Sequence, residues 1–106
     1  MSIRSDVAIV FTKELLEEVK KEEKLNGLFD AATESVTGEE QVLFYFPHVK
    51  FYPKDTTHVF GQLFLFLEDK EDDYYVLEVC HNNDAIKEYG TLDNEFDVSY
   101  KIEITY

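Results

Sequence analysis

The sequence predicts an α+β fold: a mainly antiparallel sheet of four or five strands with two or three helices packed on one face. Three observations carry this. Residues 7–11, 41–46 and 74–80 are apolar runs of strand length, rich in β-branched and aromatic residues. Residues 13–35 and 56–69, which lie between these runs, show apolar positions at helical spacing. Residues 96–106 alternate Phe96, Val98, Tyr100, Ile102, Ile104 and Tyr106 with Asp97, Ser99, Lys101, Glu103 and Thr105, the pattern of a half-buried antiparallel strand. The 106 residues, with nine Phe and seven Tyr, suit one globular domain spanning 1–106.

Each element follows from local chemistry. Val-Ala-Ile-Val-Phe at 7–11 reads as a strand buried on both faces, and Thr12 as the cap of the helix that follows, with Glu14 in its first turn. Leu15, Leu16 and Val19 form one stripe, and Leu25, Leu28, Phe29 and Ala32 another. At 100° per residue the stripes lie roughly 135° apart, so one straight helix cannot bury both. A break near 24–27, where Asn26-Gly27 is a candidate stop, and a second helix to about Ser35 are expected. The charged stretch 17–24 reads as a partner-binding or simply solvated helix face, and the second needs no partner.

Gly38-Glu39-Glu40 is a turn, and 41–46 the strongest central-strand candidate. Pro47 interrupts it and alternation resumes over 49–52, which suggests a bent strand or an added edge segment. For 56–69, Val59, Phe60, Leu63, Phe64 and Leu67 favour a helix capped by Thr56 or Thr57, although 63–67 also suits a strand. Residues 68–73 form an acidic loop and 74–80 a strand with Leu77 and Val79 on one face. Residues 81–84 turn, Asp84 is placed to cap a helical turn through Glu88, and Gly90 ends it. The resulting order is compatible with a ferredoxin-like arrangement.

Charge excludes several functions. Against 10 Lys+Arg stand 23 Asp+Glu, a formal net charge of −13. Residues 1–54 carry a net −3 and residues 55–106 a net −10. Direct binding to nucleic acid or anionic membranes needs the opposite sign. No apolar run approaches the roughly 20 residues that cross a bilayer, and no signal peptide is expected. The single cysteine, Cys80, forms no internal disulfide, which fits a cytoplasmic setting.

Catalytic motifs are absent. Cys80 and His81 are neighbours, but on a strand they point to opposite faces, which reads Cys80 as a core or edge thiol. His48, His58 and His81 lack recognisable metal-ligand spacing. Asp69, Glu71 and Asp73 match positions 1, 3 and 5 of a calcium loop, but Tyr74 replaces the required Gly and Cys80 the closing carboxylate. The expectation is a protein that is not an enzyme, with no metal and no cofactor.

The opening octet Met1-Ser2-Ile3-Arg4-Ser5-Asp6-Val7-Ala8, the charged helix after it, the aromatic strand ending in Lys50-Phe51-Tyr52 and the acidic second half resemble small acidic accessory proteins of tailed bacteriophages. The resemblance implies a viral protein that acts in the bacterial cytoplasm and redirects a host protein. It carries over no catalytic residue.

Together these readings lead to an acidic interaction module that binds and inhibits a host nucleic-acid-handling or defence protein, its carboxylates mimicking phosphates against a basic surface. The expected contact residues are Glu68, Asp69, Glu71, Asp72, Asp73, Tyr74, Tyr75, Glu88, Tyr89, Asp93, Glu95 and Asp97. A second reading is a small-ligand sponge with a pocket of Phe and Tyr, which would accept nucleotides only if Lys50, Lys54, Lys87 or Lys101 converge. A third is a self-assembling virion component that pairs through residues 96–106.

Overall fold

The apolar run at residues 7–11 becomes the centre of the sheet. The computed structural model describes residues 4–81, 85–93 and 96. β1 (Ser5–Thr12) pairs antiparallel with β3 (Gln41–Val49) on one side and β4 (Tyr74–Cys80) on the other. β2 (Glu34–Thr37) and β5 (Ile86–Tyr89) add the edges, giving the order β2-β3-β1-β4-β5. The helices are α1 (Lys13–Lys20), α2 (Asn26–Asp30) and α3 (Val59–Phe66). Up to β4 the element and strand orders are those of the ferredoxin-like β-α-β-β-α-β plan, and β5 extends the sheet beyond β4. The predicted fold class is the observed one.

Strand parity sorts the core. Val7, Ile9 and Phe11 of β1, Val42, Phe44 and Phe46 of β3, and Tyr74 and Val76 of β4 meet Leu15, Leu16, Val19, Leu25, Leu28, Phe60, Leu63 and Leu67 in one cluster. The alternate residues Ala8, Val10, Leu43, Tyr75, Leu77 and Val79 form a second, on the other face, with Tyr45, Leu92 and Phe96 against it. Phe46 meets Phe60 edge-on at 5.5 Å, which locks β3 to α3.

Thr12 caps α1 as the sequence predicts: its Oγ1 accepts the Leu15 N–H at 3.2 Å. The break between the two apolar stripes is also present. α1 ends at Lys20, a 3₁₀ turn at Glu23–Leu25 reorients the chain, and α2 follows. Asn26-Gly27 opens α2 rather than stopping a helix.

Several expected boundaries are corrected. The second helix stops at Asp30, and Glu34–Thr37 is an exposed edge strand. Its residues carry no apolar alternation because neither face is buried; the open edge of β3 imposes its conformation. β5 likewise replaces the helical turn expected through Glu88. The strand expected over 49–52 ends at Val49. The cap of α3 is His58, because Asp55 holds Thr57 in the preceding turn by its N–H at 3.0 Å and its hydroxyl at 2.6 Å. The alternating residues 97–106 lie outside the described residues.

Two backbone features shape the region around the site. β3 sets Pro47 and His48 opposite the single residue Asp6, and His48 takes a φ of 56° at this bulge. In α3, a Cβ on Gly61 would collide with the Asp55 carbonyl, so the turn before α3 packs onto its first turn only because residue 61 is glycine.

Thr12→Ala should remove the cap of α1 and cost about 1 kcal/mol. Denaturant unfolding reads this as a lower midpoint with an unchanged slope, and Thr12→Ser should restore it.

Candidate functional site

Polar side chains are buried at the end of the sheet where β1 begins. Ser5 and Asp6 are 2% and 1% exposed, and Glu78 is 5% exposed. Strand parity sends Ser5 and Glu78 to the helix-covered face and Asp6 to the other, so two separate polar networks form.

On the helix-covered face Glu78 gathers three donors. Ser5 Oγ donates to Oε2 at 2.8 Å, Cys80 Sγ to the same oxygen at 3.4 Å, and Tyr89 OH to Oε1 at 3.1 Å. Burial pushes the Cys80 thiol up, and the adjacent Glu78 adds to the effect, which makes Cys80 a poor nucleophile. Burial and then Glu78 likewise raise the Tyr89 phenol.

Beside this network opens a pocket of about 810 Å³, lined by Phe51, Tyr52, Pro53, Lys54, Asp55, Phe64, Glu78, Lys87 and Tyr89. Phe51, Phe64 and Tyr89 pack edge-on or tilted at 5.1 to 6.0 Å and form an aromatic wall. Lys87 is the cross-strand partner of Glu78, and Lys54 comes from the turn after β3. Both lysines are exposed, and among the described residues neither makes an ion pair. This volume lies within the range of small-ligand sites.

On the opposite face Asp6 organises the two histidines at that end. Its Oδ1 accepts the backbone N–H of His48 at 2.8 Å and lies 2.9 Å from His81 Nε2. The Nδ1 atoms of His48 and His81 are 3.1 Å apart. His58 is elsewhere, beside Tyr52 and Phe60. Two of the three histidines therefore meet, and Cys80 and His81 diverge to the two faces. Among the described residues no group of three or more His, Cys, Asp and Glu is gathered for a metal ion.

The residues expected to contact a partner divide into three sets. Glu68, Asp69, Glu71, Asp72 and Asp73 are exposed between α3 and β4. Thr91 ties the later segment to them, its hydroxyl donating to Asp72 Oδ1 at 2.8 Å and its N–H to the Glu71 carbonyl at 2.8 Å. Asp93 is close by, its carbonyl accepting from Gln41 at the start of β3. Glu39 and Glu40, which the sequence did not single out, precede the same end of β3. Glu88 is exposed on β5 and lies at the hydroxyl of Tyr75.

The tyrosines are a correction. Tyr74 and Tyr75 are 6% and 8% exposed, because β4 is an interior strand covered on both faces, so their rings are core rather than contact surface. Tyr89 is half-buried and belongs to the pocket. Glu95 and Asp97 lie outside the described residues. Sequence reasoning missed Asp6 and Glu78. The only available signal was a carboxylate at an inward-facing position of an otherwise apolar strand.

Burial and then Glu88 raise the Tyr75 phenol to about 12. An unfolded tyrosine ionises near pH 10, so above that pH the unfolded chain holds fewer protons than the folded one. The contribution of Tyr75 to stability is complete below about pH 10 and is lost as pH rises toward 12. Denaturation midpoints measured from pH 8 to 12 should fall over this range, and Tyr75→Phe should flatten the fall.

No protein-family model, no curated protein and no solved structure matches the chain. Among the described residues no helix is long and apolar enough to cross a membrane.

Proposed function

We propose that the chain is a non-enzymatic binding module whose ligand is a small aromatic anion of about mononucleotide size. One observation carries this reading: the exposed residues Lys54 and Lys87 both line a pocket walled by Phe51, Tyr52, Phe64 and Tyr89. Aromatic walls supply stacking area for a planar ring, and the two lysines supply counter-charges for a phosphate or carboxylate. The same lining includes the carboxylates of Glu78 and Asp55, and Glu78 is held in the wall by hydrogen bonds from Ser5, Cys80 and Tyr89.

The overall negative charge does not defeat such a site. The acids around Asp72 precede Tyr74, which is four residues along β4 from Glu78 in the pocket, roughly 13 Å at 3.3 Å per residue. At physiological salt charges are screened over about 8 Å. Those acids therefore add little to the field in the pocket, which is set by Lys54 and Lys87 together with Asp55 and Glu78 in its own lining.

Adenosine monophosphate is a suitable probe, with adenosine and inorganic phosphate as its two halves. At a hundredfold excess over Kd a ligand adds about 2.7 kcal/mol of stability, which should raise Tm by roughly 10 °C in a domain this size. The monophosphate should stabilise more than either half at equal concentration, and Lys54→Ala with Lys87→Ala should abolish the difference. Equal shifts for the monophosphate and adenosine would remove the anion from the reading. No shift with any aromatic anion would remove the pocket.

A second reading keeps the acidic interaction module, with a basic surface of a bacterial protein as its partner and a phage origin as the sequence resemblance implies. Its support is the proximity of Glu71, Asp72 and Asp93 through the Thr91 bonds, with Glu39 and Glu40 at the same end of the sheet. Binding to such a partner should weaken steeply with salt and be competed by DNA or RNA. Joint charge reversal of Asp69, Glu71, Asp72 and Asp73 should reduce affinity more than tenfold, and reversal of Glu17 with Glu18 should have little effect. A salt-insensitive complex would overturn this reading.

A further inference from the structure

We propose that His48 and His81 form an open binding site for a first-row transition-metal ion such as Zn²⁺ or Ni²⁺, with Asp6 as the group that orients His81. The site is separate from the pocket, on the other face of the sheet.

The argument begins with Asp6. A carboxylate 1% exposed within the central strand is costly unless something partners it. It receives the His48 N–H, and the ring of His81 stands against the same oxygen. Nε2 of His81 lies 2.9 Å from that oxygen, and its Nδ1 faces His48. A carboxylate beside one ring nitrogen, with the other nitrogen facing a second imidazole, is an arrangement found at metal-ligating histidines.

The distance between the two rings fits the same role. Two nitrogens at about 2.0–2.1 Å from one ion, subtending 90–109° as in square-planar to tetrahedral geometry, are roughly 2.9–3.4 Å apart. The observed Nδ1–Nδ1 distance of 3.1 Å lies inside that interval. The ring centroids are 4.8 Å apart. If the two nitrogens pointed straight at each other across that gap, they would be only about 2.5 Å apart, given roughly 1.15 Å from centroid to nitrogen. The nitrogens are therefore offset, and without an ion the contact has the geometry of a hydrogen bond in which one Nδ1 donates to the other. His48 is exposed and the His81 side chain is 25% exposed, so an ion can enter from solvent.

The backbone adds an independent sign. His48 holds a left-handed φ of 56° at the bulge, and Asp6 secures that conformation through the His48 N–H. Such conformations in non-glycine residues cost energy and concentrate at functional sites. Two protein ligands leave further positions for water, so the site is open rather than structural. Imidazole nitrogens favour zinc, nickel and copper over magnesium and calcium. This separates the site from incidental attraction of divalent ions to the acidic surface.

The test is calorimetric titration of the full chain with Zn²⁺ in a large excess of Mg²⁺. One ion per chain should bind. His48→Asn removes the imidazole while tolerating the left-handed backbone, so the fold is retained and binding should weaken at least tenfold. Asp6→Asn should weaken it about 10–100-fold, and His58→Ala should leave it unchanged. In nitrogen-resolved NMR the Nδ1 signals of both His48 and His81 should shift on adding zinc, which also decides the matter if Asp6→Asn fails to fold. Equal binding by the wild type and His48→Asn, or shifts at Nε2 alone, would overturn the site.

Discussion

The pairing of β1 on both sides is the constraint from which the rest of the structure follows. A strand between two partners, with clusters on both faces, must be apolar at every position where it is enclosed, and Val7 to Phe11 meets that demand. Ser5 and Asp6 extend the same strand with polar side chains. There is no solvent for them to reach, so each requires a partner from a neighbouring strand. β4 supplies Glu78 to Ser5, His81 follows directly on β4, and the bulge in β3 brings the His48 N–H to Asp6. Both polar networks thus follow from running one strand two residues past its apolar stretch.

Strand alternation then separates the two chemistries. Cys80 and His81 are adjacent in the chain but work on opposite faces, Cys80 against Glu78 and His81 against Asp6. The helix-covered face gains a pocket because α3 and the turn before it do not close over the end of β4 and β5. Gly61 sets how closely that turn approaches α3, and hence where Lys54 and Asp55 meet the pocket rim. The lysine pair is a product of topology: residues 54 and 87 lie 33 positions apart, and meet because the turn after β3 and the start of β5 are at the same end of the sheet.

The lopsided charge has a similar origin. An antiparallel sheet places the turn into β4, the turn into β3 and the exit from β5 at one end. Glu39, Glu40, Glu71, Asp72, Asp73 and Asp93 occupy these connections. Arg4, Lys50 and Lys54 lie outside the strands at the other end, and Lys87 lies near the start of β5 there. Acids from both halves of the sequence thus meet at one end of the sheet. At either end, net charge by itself says little about what binds.

The sequence alone determined the interior elements and the α+β class, because those depend on local burial patterns. The 7–11 run, the Thr12 cap, the stripe change before α2, the 41–46 strand and the helix at 59–66 are each written in residues within a few positions of one another. The edge strands were not legible. Glu34–Thr37 and Ile86–Tyr89 bury little, and their conformation comes from the unpaired edges of β3 and β4. The rings of Tyr74 and Tyr75 could not be assigned to core or surface either, since only the sheet order makes β4 an interior strand. The candidate sites belong wholly to the tertiary structure. Ser5 with Glu78 are 73 positions apart, Asp6 with His48 are 42, and His48 with His81 are 33. No spacing rule covers such separations; strand register alone brings these groups within bonding distance.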